Sequence, residues 1–345
     1  MARRKGADGN ATLADVAALA GVSVSAVSKA LLGGGGKTTK VSEATAGIIR
    51  EAAGKLGYSP NSAARQLKTG KSNIVGALIH SSAPQIYYDL FARIQKKLAR
   101  MGYCFMIGQS DGSVELIARY LEEFRSRKAD LIISALYEYP EHTRRLEDLH
   151  ARFDNILFLG KPELPGRGYF EIDIKDGIIQ IVGHLASMGI KRIAIDILNK
   201  AYRASRMRIE GYVEGLRRTG IEFDDTLVLE NIVDSDQEMI KTAGDVTRKA
   251  LDLGAQAIIA GNDLRAIMII KYLRTLGVDV PRDVKVTGFD NMDFAPYATP
   301  ALTTVDPRNE EQADAAVAMA RFFLAEGRFP GNSVIKPKLV IGEST

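Results

Sequence analysis

From residue 73 to the C-terminus, short apolar runs alternate with longer amphipathic stretches, and this alternation constrains the fold more than any other feature. The runs at 74–79, 103–107, 131–134, 156–159, 193–197, 257–260 and 284–289 have strand length and little charge. Between them, 89–101, 114–127, 206–219 and 264–276 show helical spacing with charged outer faces. A strand buried on both faces reads as a continuous apolar run, as a parallel sheet covered by helices requires. The rhythm predicts an α/β body of doubly wound parallel sheets. About 270 residues is long for one such sheet and suits two lobes. No short internal repeat is visible.

The first 72 residues differ in charge and pattern. They hold eleven Lys and Arg against four acids, whereas the remaining residues hold 35 against 38. A basic head on a mildly acidic body suggests a partner for the head alone, with nucleic acid the commonest; a solvated basic tail is the alternative. Thr12 can cap a helix, with Asp15 three residues on and Leu13, Val16, Ala17 and Ala20 on one face. Gly21 ends that helix. Ser23 caps a second, with Val24, Val27 and Leu31 for packing and Ser25, Ala26, Ser28 and Lys29 on the other face. Two short helices around a glycine turn describe a helix-turn-helix, whose second helix enters the major groove. A third helix begins near Ser42, with Ile48, Ile49, Ala52 and Leu56 as its core face, and Gly57 stops it.

Several classes drop out. The single cysteine, Cys104, excludes an intramolecular disulfide framework and a Cys-rich zinc site. Neither a metal nor a cofactor is expected. No run of 18 apolar residues exists, and no apolar segment follows Arg3, Arg4 and Lys5, so the expectation is a cytoplasmic protein without a membrane partner. Gly33, Gly34, Gly35, Gly36, Lys37 and Thr38 imitate a phosphate-binding loop, but Leu31 stands where its first glycine belongs and no strand precedes it. Gly108, Gln109, Ser110, Asp111 and Gly112 imitate a nucleophile elbow, yet no oxyanion segment or triad histidine can be assigned. No enzyme is expected.

The stretch TLADVAALAGVSVSAVSKAL, followed by VSEATAGIIREAAGKLGYSPNSAARQLKTGKSNIVG, resembles the LacI/GalR family of bacterial transcription regulators, and the resemblance runs on through the body. It implies an all-α helix-turn-helix domain over 1–60 and a hinge helix and linker over 61–72. It also implies a periplasmic-binding-protein-like effector domain. One effector subdomain would take 73–172 and 304–330, the other 173–303 and 331–345. Val24, Ser25 and Lys29 match base-reading positions, and Thr12, Ser23, Ser28 and Tyr58 match positions near phosphates. The segment 61–68 matches a hinge helix that forms on DNA, with Asn61, Ala64, Leu67 and Lys68 at the duplex and Leu67 inserted into the minor groove. An apolar wedge of this kind unstacks a base step and kinks the duplex. The plain alternative for Leu67 is a linker residue packed on the body.

In doubly wound sheets, ligands bind at the carboxyl ends of strands. Four places qualify. Tyr87 and Tyr88 follow the first body strand, and Asn262 and Asp263 follow the run at 257–260. By resemblance, Arg208 matches a ligand-binding arginine three residues before Gly211, and Asp290 matches a ligand-binding carboxylate. Each has a plain alternative. Arg208 and Asp290 can pair with each other, Asn262 and Asp263 can cap a helix, and the tyrosines can pack in a core or dimer interface. Gly160 and Lys161 stand where sugar-binding relatives carry an aspartate, which disfavours a simple hexose. Ile190 replaces a usual His, and Ala46 and Gly342 replace a usual Arg, marking a divergent member.

The expectation is therefore a homodimeric regulator, most simply a repressor, binding a palindromic double-stranded DNA operator under control of a small-molecule effector, a sugar or sugar-like compound. A sugar-transport solute-binding protein is the alternative, and it leaves the basic head without a task.

Overall fold

The computed structural model describes residues 11–32, 41–59, 66, 69–135, 143–231 and 236–345. Two compact units result, one of Met1–Asn73 with Arg127–Asp130, the other of Ile74–Ser126 with Leu131–Thr345. The segments around 33–38 and 61–65, with Leu67 and Lys68, lie outside the described residues.

In the first unit, helices α1 (Leu13–Ala20), α2 (Val24–Leu32) and α3 (Glu43–Lys55) surround one small core. Thr12 and Asp15 form a full capping box. The Asp15 N–H donates to Thr12 Oγ1 at 3.3 Å, and the Thr12 N–H donates to the Asp15 carboxylate at 2.9 Å. Gly21 ends α1 with φ +66°, the left-handed turn that glycine takes without a Cβ penalty. Ser23 caps α2 by accepting from the Ala26 N–H at 3.1 Å, and Ser42 caps α3 by accepting from Thr45 at the same distance. Val16, Ala17, Val27, Ile49, Ala52 and Ala53 form the core. Three expected core residues turn outward instead: Val24 is 47% exposed, Ile48 53% and Leu56 38%. On α3 the inner face is set by Ala46, Ile49, Ala52 and Ala53, and Ile48 stands about 100° around the helix from Ile49.

The second unit follows the alternation read from the sequence. The first lobe contains β1 (Ile74–His80), α4 (Gln85–Arg100), β2 (Cys104–Ser110), α5 (Val114–Ser126), β3 (Leu131–Ser134), α6 (Thr143–His150), β4 (Ile156–Leu159) and β5 (Tyr169–Ile172). The second contains α7 (Ile174–Ser187), β6 (Ile193–Leu198), α8 (Arg203–Thr219), β7 (Val228–Asn231), α9 (Asp236–Asp252), β8 (Ala257–Ile259), α10 (Asp263–Thr275) and β9 (Lys285–Thr287). The chain closes with β10 (Thr304–Asp306), α11 (Asn309–Glu326), β11 (Asn332–Ile335) and β12 (Lys338–Val340).

The first sheet runs β2-β1-β3-β4-β5-β11 and the second β7-β6-β8-β9, with every pairing parallel. In the first, Val75 sits between Phe105 and Leu131; in the second, Ile195 faces both Val228 and Ile259. Side chains alternate between the two faces of each sheet. Ile193, Ile195 and Ile197 of β6 pack on Ile178, Ile181, Tyr212 and Leu216, from α7 and α8, while Ala194 faces the helices of the other side. Glycine lets α7 and α8 meet closely, since a Cβ on Gly211 would lie 2.6 Å from the Lys175 carbonyl oxygen.

The crossings between lobes differ in one place from the expectation. Residues 331–345 do not all belong to the second lobe: β11 pairs with β5 in the first sheet, Asn332 opposite Tyr169 and Ile335 opposite Ile172. Without β11, the outer backbone groups of β5 would have no sheet partner on that side. The chain returns at β12, which runs antiparallel to β10 and brings Leu339 against the second-lobe core. Helices also begin earlier than expected, α4 at Gln85 rather than residue 89 and α8 at Arg203 rather than residue 206.

Candidate functional site

The order β2-β1-β3-β4-β5 has its switch point between β1 and β3, and β7-β6-β8-β9 has its own between β6 and β8. Side chains at the carboxyl ends of both sheets converge on one cleft, where the topology places ligands. The cleft measures about 430 Å³. Its first-lobe wall includes Ile79, His80, Tyr87, Leu159 and Glu171, and its second-lobe wall includes Tyr202, Arg203, Arg208, Phe289 and Asp290. Asn309 and Gln312, from the start of α11, add two amides, and Gln312 Nε2 donates to the Pro307 carbonyl at 2.8 Å.

Arg208 and Asp290 come together in this cleft, and they do not pair with each other among the described ion pairs. The Arg208 guanidinium donates to the Gly261 carbonyl at 3.1 Å and lies over the Phe289 ring, 5.0 Å from its centre. Its Nε is buried without a hydrogen-bond partner. Asp290 sits on a strained turn, with φ +110°, followed by Asn291 at φ +47°. Residues other than glycine hold such angles at a cost of about 1–3 kcal/mol each, and do so where the surroundings fix them. Burial pushes the Asp290 carboxyl up to about 8 against the opposing pull of Arg208, with nearby Asp263 adding to the rise.

Tyr87 lines the cleft, and burial, with Asp290 nearby, raises its phenol above the ordinary range. Tyr88 does not line it. Its hydroxyl reaches the His80 and Ser81 carbonyls at 3.0 and 2.9 Å and closes the turn between β1 and α4. Asn262 and Asp263 also stand outside the cleft wall. Asn262 caps α10 by accepting from the Arg265 N–H at 2.8 Å. Asp263 is fully buried, and its carboxylate accepts from Thr304 Oγ1 at 2.5 Å and from the Met292 N–H at 2.7 Å. Both partners flank the Asp290 turn, so Asp263 braces that turn from beneath. Gly288 makes room for it, since a Cβ there would sit 2.1 Å from Asp263 Oδ1. Burial pushes the Asp263 carboxyl up to about 6.

These two carboxyls make a pH prediction. An acid whose folded pKa lies above its unfolded value binds its proton more tightly when folded. Its stabilising contribution is complete at low pH and is lost as pH rises from the unfolded value to the folded one. The contribution of these two carboxyls is therefore lost as pH rises from about 4 to about 8, with the part above about 6 assigned to Asp290, whereas buried His150, held down to about 4, acts in the opposite direction below about 6.5. In urea melts across that range, Asp290→Asn will flatten the upper part. An unaltered slope above pH 6 would contradict the assignment.

Sequence reasoning missed the charged pair that spans the cleft. Arg203 of α8 donates to both oxygens of Glu171 on β5, at 2.7 and 3.3 Å, and the Lys161 N–H adds a third bond to Glu171 at 3.1 Å. The two residues are 32 apart and come from different lobes, so no local pattern links them. Glu171 interrupting an apolar run, Tyr169-Phe170-Glu171-Ile172, was the one available signal.

In the other unit, α2 presents Val24 and Ser25 as exposed residues, with Ser28 and Lys29 half-buried on the same side. Ser23 accepts one capping bond and keeps its own proton. Thr12 gives its hydroxyl proton to the Asp15 carboxylate at 2.8 Å, so a phosphate would have to compete with that bond. Tyr58 packs against the small core, and burial raises its phenol, which stays neutral. Asn61, Ala64, Leu67 and Lys68 lie outside the described residues. The nucleophile-elbow lookalike is a turn contact, with Ser110 buried and its Oγ donating to the Ser113 carbonyl at 3.1 Å. No single helix among the described residues is long and apolar enough to cross a membrane.

Comparison with known proteins agrees with both units. Residues 12–61 match the family described as bacterial regulatory proteins, lacI family, and residues 182–345 match a periplasmic binding protein-like domain. The HTH-type transcriptional repressor PurR of Vibrio atlanticus is 28% identical over 86% of this chain and 86% of its own length. The ribose operon repressor of Escherichia coli is 27% identical over 89% of this chain and 91% of its own. The HTH-type transcriptional regulator DegA of Bacillus subtilis is 27% identical over 97% and 98%. Among solved structures, the lac repressor dimer bound to operator and the anti-inducer ONPF superposes with a TM-score of 0.78 at 22% identity, covering 97% of this chain and 99% of that one. A complex of the transcriptional regulator CelR with cellobiose gives 0.70 at 24% identity, covering 97% and 100%. At these identities the two structures speak for the fold, and the three curated relatives, each a regulator, speak for the role. Residues 12–61 thus carry a helix-turn-helix of the lacI family type and residues 182–345 a periplasmic binding protein-like domain, and the relatives similar to this chain over both parts are transcriptional regulators.

Proposed function

We propose that the chain is a cytoplasmic, homodimeric repressor whose hold on a two-half-site operator is set by a small molecule bound between the lobes of its body. One observation carries this reading. The same chain holds a helix-turn-helix with an outward Val24, Ser25 and Lys29, and a cleft where Arg208 and Asp290 face a ligand-sized space without pairing. One such helix reads only a few base pairs, so a specific site needs two copies related by symmetry, and hence a near-palindrome. The lac repressor neighbour is a dimer on its operator, and the CelR neighbour holds cellobiose, which supports both halves of the reading by analogy. Ligand control requires only that the ligand bind one lobe arrangement better than another, a coupling of typically ~1–3 kcal/mol.

The test is selection of bound duplexes from a random DNA pool, with and without a mixture of sugars and nucleobases. The expected result is an enriched palindrome whose recovery changes with the mixture. Absence of any enriched sequence would sink the regulator reading and favour a solute-binding protein. On the selected operator, Leu67→Ala will weaken binding and reduce DNA bending. Unchanged affinity and bend would remove Leu67 from the role of wedge.

A further inference from the structure

The charged side chains of the cleft are unequally paired, and that inequality bears on the ligand. Two acids and two arginines line it: Glu171, Asp290, Arg203 and Arg208. Glu171 and Arg203 cancel in a two-point pair, with side chains only 11% and 22% exposed. Arg208 has no such counterion. Its hydrogen-bond acceptor is the neutral Gly261 carbonyl, its Nε is buried and unpartnered, and no carboxylate among the described residues lies within 4.0 Å of its guanidinium. A guanidinium half withdrawn from water without an anion is costly, and a bound anion relieves that cost. Much of the remaining wall is apolar, from Ile79, Ile86, Leu90, Ile172, Ile174 and Phe289, beside the amides of Asn309 and Gln312.

We propose that the effector of this chain is a small organic anion, a carboxylate or phosphate ester on a body with one apolar face, its charge seated at Arg208. The inference rests on the cleft being the effector site of the proposed regulator. One further group acts in the same direction. Burial favours the neutral carboxyl at Asp290, so it does not oppose the anion near neutral pH. Asp290 then donates a hydrogen bond to the ligand where an ionised carboxylate would repel it.

The experiment is calorimetric titration of the full-length protein at pH 7 with matched pairs: galactose and galacturonate, glucose and gluconate, ribose and ribose 5-phosphate. The expected result is at least one acid binding roughly tenfold or more tighter than its neutral partner, with the advantage shrinking as salt is raised. Arg208→Gln will abolish that preference. Glu171→Gln, which keeps the shape of the wall and leaves Arg203 without its counterion, will increase it, and melting curves of both variants will verify that they fold. Neutral sugars binding as tightly as their acids would overturn the inference, as would no binding by any of the anions or an acid preference unmoved in Glu171→Gln. Duplex selection run alongside separates the two readings. A palindrome released by a neutral sugar keeps the regulator and removes the anion, whereas the absence of any selected sequence removes the regulator itself.

Discussion

Asp196→Ala will cost the second lobe about 3–5 kcal/mol, the largest loss of stability expected from any single change in the body. Asp196 lies in the middle of β6 and Arg265 in the first turn of α10, and their side chains are 1% and 3% exposed. Arg265 Nε donates to Asp196 Oδ2 at 2.7 Å, Asn231 Nδ2 donates to Oδ1 at 2.7 Å, and Arg265 also donates to Thr242 Oγ1 at 3.0 Å. Burial raises the Asp196 carboxyl while Arg265 pulls it down, and their direct bonding holds the charged pair together. Removing the acid leaves a guanidinium buried with no anion, and that desolvation outweighs the mutual attraction lost. Breaking the pair therefore differs from replacing it. Asp196→Leu together with Arg265→Met leaves no orphan charge and will cost much less than Asp196→Ala alone. The chain has no tryptophan, so urea unfolding followed by circular dichroism is the suitable measurement. A loss below about 1 kcal/mol in Asp196→Ala would show that water reaches the pair. The effect will also reach the cleft, because α10 carries Asp263 beneath the Asp290 turn.

Asp196 illustrates what the sequence makes legible and what it hides. Strands buried on both faces, such as β1, β3, β4 and β6, announce themselves as apolar runs, and even the buried acid in β6 does not break the run. Strands β5, β7, β11 and β12 have only three or four residues and mix polar with apolar side chains, so periodicity finds nothing in them. The partner of β11 is β5, far back in the sequence, which is why the last crossing between lobes was misplaced. The cleft was half legible. Arg208 and Asp290 were recognisable because the family resemblance points to them, Arg208 three residues before a glycine and Asp290 after a strand. Asp263 follows a strand in the same manner, yet its carboxylate points into the protein, to Thr304 and Met292, whose proximity depends on the returning chain. Arg203 and Glu171 were invisible for the same reason. The head was legible in its caps and its glycine turn, but the facing of α3 was off by one residue. An alanine-rich face buries as well as an isoleucine when the helices approach closely, and Ile48 lost that competition to Ala52 and Ala53.

Lys29→Ala will weaken operator binding by ~1–3 kcal/mol, roughly 5- to 150-fold, and will relax the preference at one base pair in each half-site. Little else on α2 can read sequence. Val24 offers two methyl groups, suited to the methyl of thymine, and Ser25 bonds to donors and acceptors alike. Lys29 alone brings a charged donor, which favours the acceptor edge of guanine. It takes part in no described ion pair, and it sits on the same side as Val24, Ser25 and Ser28, so its loss leaves the three-helix core of Val16, Val27 and Ile49 intact. Stability of the head is therefore expected to stay the same, and the change will appear in DNA affinity alone. The salt dependence distinguishes two ways of losing that affinity. A lysine that reads a base leaves the number of displaced counterions almost unchanged, and its loss is confined to operators carrying guanine at that position. A lysine that meets a phosphate lowers the salt slope by about one and weakens every sequence alike. The second outcome would transfer sequence recognition to Val24, Ser25 and the bend imposed at the centre of the operator, where pyrimidine–purine steps deform at least cost.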